Sequence, residues 1–178
     1  MKLFYITGNE GKFRETKMII PEVEQLNIDL PEIQEVDPKK IIELKLLEAK
    51  KHANERFIID DASFYLGATP GLPGPLIKWF MKTIGNQGLF QIASRFDNFE
   101  AKAVVIVGYL NEEGVIHYFE GKIDGKIVEP RGTNGFGWDA IFQPNGFEKT
   151  FAEMSTEDKN LISHRKIALE KLKKHLEI

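Results

Sequence analysis

Two adjacent carboxylates, Asp60-Asp61, follow the apolar run Phe57-Ile58-Ile59. Side chains alternate faces along a strand, so one acid can face a site while the other braces it. Ligands of α/β sheets sit beyond the carboxyl ends of strands, where this pair is expected. A hard cation such as Mg2+ takes oxygen ligands, often one or two carboxylates plus substrate phosphates. A plain capping aspartate fits the same residues. Nearer the start, Thr7-Gly8-Asn9-Glu10-Gly11-Lys12 joins a predicted strand to a predicted helix. Backbone N–H groups at a helix N-terminus suit an anion. Gly8 admits close backbone approach, and Lys12 supplies a point charge for phosphate. The segment is not a Walker A loop, because the glycine spacing is too short and Phe13 stands where Ser or Thr is needed. An ordinary strand–turn–helix junction with a surface lysine fits the spacing equally well.

Two predicted helices carry cations among apolar residues. Arg165 falls near the centre of the stripe Leu161, Ala168, Leu169, Leu172 and Leu176, with His164 at its edge. Lys45 sits between Ile41, Ile42 and Ala49. A charge on an apolar face is costly unless paired. One such residue could snorkel. Two, beside a phosphate-friendly turn, point to a shared anionic ligand. Phe136-Gly137-Trp138-Asp139 offers rings that can stack a base and an acid that can accept from a ring N–H, although Phe and Trp also serve as ordinary core. From Pro21 to Asp37 the chain carries Glu22, Glu24, Asp29, Glu32, Glu35 and Asp37 with no basic residue. This reads as a solvated loop and edge strand from which one acid could bind metal. The histidines at 52, 117, 164 and 175 show no zinc-ligand spacing, and no serine lies in a G-x-S-x-G context.

The elements that must position these groups follow from periodicity. Strands are predicted over 2–7 and 23–28, over Phe57–Ile59, and over 139–142. Asn9 is predicted to cap a helix to about Ile20, and Pro38 to open a long one to about Arg56. Gly67 to Pro75 reads as a loop before a helix carrying Trp79, Phe80 and Met81, and another helix covers about 88–96. A hairpin pairs 101–110 with 115–128 across Asn111-Glu112-Glu113-Gly114. Ser155, with Asp158 three residues on, opens the last helix. This order predicts an α/β fold on a mixed sheet, one domain over 1–178 with a helical insert at about 75–96 and a hairpin at about 101–128.

Composition narrows the function. The chain has 178 residues, 42% hydrophobic and 29% charged, with a net charge of −3. That size can bury a sizeable core. The mild acidity argues against gripping a nucleic-acid polymer through its phosphates. No apolar run is long enough for a membrane span, and the start lacks signal-peptide features. The absence of cysteine excludes disulfides and thiol nucleophiles and fits a cytoplasmic protein.

Taken together, Thr7-Gly8-Asn9-x-x-Lys12, Leu30-Pro31-Glu32, Asp60-Asp61, Gly71-Leu72-Pro73-Gly74-Pro75 with Ile77-Lys78-Trp79-Phe80, Phe136-Gly137-Trp138-Asp139, and Lys159-Asn160 with Ser163-His164-Arg165 resemble the inosine triphosphate pyrophosphatase family, also called the Ham1 family. The resemblance runs essentially end to end. It implies an elongated two-lobed α/β fold with a cleft between the lobes and a homodimer. It also implies Mg2+-dependent hydrolysis of ITP, dITP and XTP or dXTP to the monophosphate and pyrophosphate, which cleanses the nucleotide pool. By resemblance, Thr7, Gly8, Asn9, Glu10, Gly11 and Lys12 form the triphosphate loop. Glu32 and Asp61 bind metal, and Asp61 accepts the proton. Lys45 and Lys159 contact substrate, and Phe136, Gly137, Trp138, Asp139, His164 and Arg165 form the base pocket. The chain departs from the pattern at Asp60, commonly Glu, and at Ala62, a position matched to substrate binding that is commonly a hydroxyl residue and here offers no side-chain hydrogen bond. Rival readings are a non-catalytic purine nucleotide sensor, a phosphatase on another phosphorylated metabolite, and a dimeric scaffold.

Overall fold

The computed structural model describes residues 2–177. Strands β1 (Leu3–Ile6), β2 (Glu24–Leu26), β3 (Arg56–Leu66), β4 (Thr69–Gly74), β5 (Glu100–Leu110), β6 (Ile116–Ile127) and β7 (Phe142–Pro144) are interspersed with helices α1 (Glu10–Ile19), α2 (Pro38–His52), α3 (Ile77–Thr83), α4 (Gly85–Arg95), α5 (Thr156–Ile162) and α6 (His164–Leu176). The strands pair in the order β2-β1-β3-β5-β6-β7, with β4 against β3. Pairs β1–β2 and β1–β3 are parallel, whereas β3–β4 and β6–β7 are antiparallel, so the sheet is mixed as predicted. The chain forms two compact units. Unit 1 takes the residues up to Asp61, then Val105–Gly121, then those from Arg165 on. Unit 2 takes Ala62–Val104 and Lys122–His164.

In unit 1 the helix starts follow their caps. Asn9 Oδ1 accepts the Lys12 N–H at 3.0 Å, and Asp37 Oδ1 accepts the Lys39 N–H at 2.9 Å with Pro38 in the first turn. Helix α2 lays Ile42, Leu46 and Ala49 on Ile6, Phe57, Ile59, Ile106 and Leu110. Burying such side chains stabilises by about 1.5–3 kcal/mol each. Because Ile6, Phe57 and Ile59 face α2, the period of two turns Tyr5 and Asp60 to the other side of the sheet.

Unit 2 packs a core of Phe64, Leu66, Ile77, Leu89, Ala93, Trp138, Ile141, Phe142, Phe151 and Met154 among others. Phe64 stacks on Trp138 at 4.5 Å, and Phe142 meets both rings edge-on at 5.7 and 5.6 Å. Such aromatic pairs add about 0.5–1.5 kcal/mol beyond burial.

Four expectations need correction. Strand β3 does not end at the acid pair but continues to Leu66, because Phe64 and Leu66 carry the buried alternation onward. The Gly/Pro-rich stretch is largely strand β4, which pairs with β3 through Phe64–Gly74 and Tyr65–Pro73. Asp139 opens a short 3-10 turn, Asp139–Ile141, and the strand begins only at Phe142. The last helix is two helices broken at Ser163, which leaves Leu161 66% exposed rather than on the buried stripe of α6.

Candidate active site

In unit 1, β1 stops at Ile6 while its parallel neighbour β3 runs on. In the register Tyr5↔Ile58, the turn after β1 stands beside Asp60 and Asp61. Within that turn, the Thr7 hydroxyl accepts the Asn9 N–H at 3.1 Å. Glu10 accepts from Gln25 Nε2 at 3.1 Å. Lys12 Nζ reaches across to Asp60 Oδ1 at 3.0 Å.

Asp60 is the hub of a buried polar group. Its Oδ1 accepts from the Tyr5 hydroxyl at 2.5 Å as well as from Lys12. Its Oδ2 accepts from Arg165 Nε at 3.2 Å and Nη2 at 3.0 Å. Arg165 Nη1 donates to Glu15. Burial alone would raise the Asp60 carboxyl, but the Lys12 and Arg165 charges outweigh it and hold Asp60 well below the usual carboxylate range. Burial disfavours the Arg165 charge, yet Asp60 and Glu15 hold the guanidinium firmly protonated. Tyr5, buried against the Asp60 charge, is raised well above its ordinary value.

Asp61 faces the α2 side and behaves in the opposite way. Burial pushes its carboxyl up to about 6, aided by the charges of Asp60 and Glu32 and opposed by Lys12 and Lys45. Lys45 is mostly shielded and meets the more exposed Glu32 at 2.6 Å. Among the described residues, no three His, Asp or Glu side chains form a ready-made metal cage. Asp61 and Glu32 are close enough for the Glu32 charge to act on Asp61, and both offer the carboxylate oxygens that a hard cation takes.

Unit 2 holds the other predicted residues. Lys159, 5% exposed, donates from Nζ to Asp139 Oδ2 at 2.7 Å. The same ammonium lies 4.6 Å from the Phe136 ring centre and 5.5 Å from that of Phe151. Asp139 Oδ2 also accepts the Phe136 N–H at 2.9 Å. Gly135, at φ +79°, lets that carboxylate close in, since a Cβ there would collide with Asp139 Oδ2. Asn86 Nδ2 donates to the Gly137 carbonyl at 3.2 Å. His164 lies against Trp138 and Phe151 at 5.5 and 6.3 Å. Ala62 is half-buried on β3 and offers only its backbone as a polar group.

Thus unit 1 brings together the Thr7–Lys12 turn, Asp60, Asp61, Lys45, Glu32 and Arg165. Unit 2 brings together Phe136, Gly137, Trp138, Asp139, Lys159 and His164. Two expectations shift. The Arg165 donors go to Glu15 and Asp60, where a purine edge was expected. Trp138 is stacked on Phe64 in the core, so Phe136 is the more accessible ring. Sequence reasoning missed Tyr5 and Glu15. The available signal was α1 itself, whose buried positions are Glu15 and Thr16 rather than an apolar stripe.

This architecture is an open mixed α/β sheet in which the turn after β1 meets the acid pair on β3. The Ham1 family profile matches residues 3–175, and the chain belongs to that family. It is 41% identical to an inosine triphosphate pyrophosphatase of Schizosaccharomyces pombe, over 98% of this chain and 95% of that protein. The Ham1 protein of Staphylococcus aureus superposes with a TM-score of 0.84 at 27% identity, covering 99% of this chain and 98% of that one. A protein of Mycobacterium abscessus described as a nucleoside-triphosphatase and dITP/XTP pyrophosphatase superposes at 0.75 with 28% identity, covering 97% and 98%.

Proposed function

We propose that this protein is a hydrolase that cleaves the deaminated purine nucleoside triphosphates ITP, dITP and XTP or dXTP to the monophosphate and pyrophosphate, removing them from the nucleotide pool. One observation carries the reading. A turn suited to phosphate is tied through Lys12 to an acid pair whose two members are driven apart, Asp60 firmly ionised and Asp61 pushed up to about 6. Pairs of titratable groups pushed apart in this way mark acid–base sites, and a general base works best when its pKa lies near the working pH.

In this reading the backbone of Thr7–Gly11 and the side chains of Lys12 and Lys45 take the phosphates. Asp61 removes a proton from a water that attacks the α-phosphorus in line. The new oxygen–phosphorus bond forms as the bond to the β-phosphate oxygen breaks, and pyrophosphate departs. Asp61 and Glu32 would hold Mg2+, because both offer carboxylate oxygens and a cation would offset the burial and like charges that disfavour the Asp61 carboxylate. When bound, Mg2+ offsets phosphate charge in the transition state.

Phe136, Gly137, Trp138, Asp139, Lys159, His164 and Arg165 are assigned to the purine on the strength of the resemblance. N–H groups of His164 and Arg165 would donate to a 6-keto oxygen and oppose the 6-amino group of adenine. A site built on hydrogen bonds rejects a mismatched group by about 10⁴ or more at best. For Arg165 this contact would use the two N–H donors left after three go to Asp60 and Glu15. The names of the fission-yeast and mycobacterial proteins support the substrate class. We also place the protein in the cytoplasm, as a homodimer. The lack of cysteine fits the first, and family resemblance alone supports the second. No described helix is long and apolar enough to cross a membrane.

A panel of ITP, XTP, GTP and ATP with Mg2+, scored for both pyrophosphate and orthophosphate, tests the reading. Pyrophosphate from ITP and XTP, with little from GTP and ATP, is expected. Orthophosphate as the product means a phosphatase, and binding without turnover means a sensor; either overturns the proposal.

A further inference from the structure

Lys12 gives one of its three N–H donors to Asp60, and a triphosphate competes with that bond for the position of the ammonium. Asp60 Oδ1 has two donors in the structure, Lys12 Nζ at 3.0 Å and the Tyr5 hydroxyl at 2.5 Å. Oδ2 is served separately, by Arg165. The Asp60 side chain is only 4% exposed, whereas that of Lys12 is 21% exposed. Turning Lys12 outward to a phosphate would therefore take one of two donors from a carboxylate that is itself buried. A buried acceptor without a donor is expensive.

We propose that Tyr5 is a positioning residue for phosphate binding: its hydroxyl keeps Asp60 Oδ1 satisfied when Lys12 leaves for the substrate. Tyr5 reaches neither metal nor nucleotide itself. Its ring is 1% exposed under the sheet, with Thr16 beside the hydroxyl. It acts by making the lysine cheap to release. Glu15 has the matching role on the other side of Asp60, since it keeps the Arg165 guanidinium turned to Oδ2. The proposal deepens the functional reading, because it assumes that Lys12 goes to phosphate.

The test is a double-mutant cycle on Tyr5→Phe and Lys12→Ala. The Kd for inorganic triphosphate is measured by calorimetry, and KM and kcat for ITP are measured alongside. Tyr5→Phe deletes one oxygen and keeps the ring. It should weaken triphosphate binding and raise KM by about tenfold or more, with kcat changed by less than about threefold. In the Lys12→Ala background Asp60 has no lysine to lose. There the same change should alter kcat/KM by less than about twofold. A purely structural tyrosine would weaken both backgrounds alike. Melting curves of all four proteins show whether each is folded at the assay temperature. Wild-type affinity in Tyr5→Phe, or a loss that persists undiminished without Lys12, overturns the proposal. Coupled triphosphate binding without ITP turnover overturns the functional reading and leaves this inference standing. ITP turnover with no Tyr5 effect does the reverse.

Discussion

Replacing Asp61 with Asn should cost activity and add stability at the same time. The Asp61 carboxyl lies at about 6 rather than its ordinary 3.8 because burial and the charges of Asp60 and Glu32 disfavour its ionised form. The folded state thus binds this proton more tightly than the unfolded state. Its contribution to stability is fully present below the unfolded pKa and is lost as pH rises through the folded one. A rise of about two units corresponds to about 3 kcal/mol, an upper figure because the side chain keeps some contact with solvent. Asn carries no charge and escapes this penalty. At pH 8, without metal, Asp61→Asn should therefore melt several degrees above the parent, at roughly 2–4 °C per kcal/mol for a chain of this size. At pH 4 or below the gap should close. Calorimetric melts of both proteins from pH 4 to 8, in chelator, check this. In the same preparations kcat with ITP and Mg2+ should fall by about 10²-fold or more, the usual share of a positioned general base. Equal melting at pH 8, or a gap independent of pH, would refute the electrostatic account of the site. Near-normal turnover would remove Asp61 from the chemistry.

Arg165→Met leaves Glu15 and Asp60 as buried carboxylates facing each other, so stability should fall by about 3–5 kcal/mol, read as a lower melting temperature at pH 7. Because Asp60 is held ionised in the fold, the parent protein should lose that stability as pH drops below about 4, while the variant should show a weaker acid dependence. Phe136→Ala removes the accessible ring beside Lys159 and should raise KM for ITP by about tenfold, the scale of one stacked base, without changing the ratio of ITP to ATP turnover. A changed ratio would mean that the ring chooses the base rather than merely holding it.

Local chemistry was legible in the residues wherever it is satisfied locally. The Asn9 cap, Pro38 at the start of α2 and the Ser155–Asp158 bond lie within three residues of their partners, and those helix starts were readable. Partners far along the chain were not. Arg165 stood out as a costly charge on an apolar stripe, but its counter-charges lie 105 and 150 residues away, so a ligand was expected where Asp60 and Glu15 stand. The same blindness shortened β3. Two consecutive aspartates normally stop a strand, and only Tyr5, Lys12 and Arg165 make it tolerable for Asp60 to continue inside one. The end of α5 at Ser163 left no strong breaker in the sequence, so two helices read as a single helix. Lys45 was readable as inward-facing, and its partner Glu32 was among the acids singled out, but their pairing across a loop was not.

Hydrolysis of ITP in oxygen-18 water tests the central claim most directly. If a water handled by Asp61 attacks the α-phosphorus, the label appears in the monophosphate and the pyrophosphate stays unlabelled. Label in pyrophosphate, or in released orthophosphate, places the attack on another phosphorus and contradicts the account.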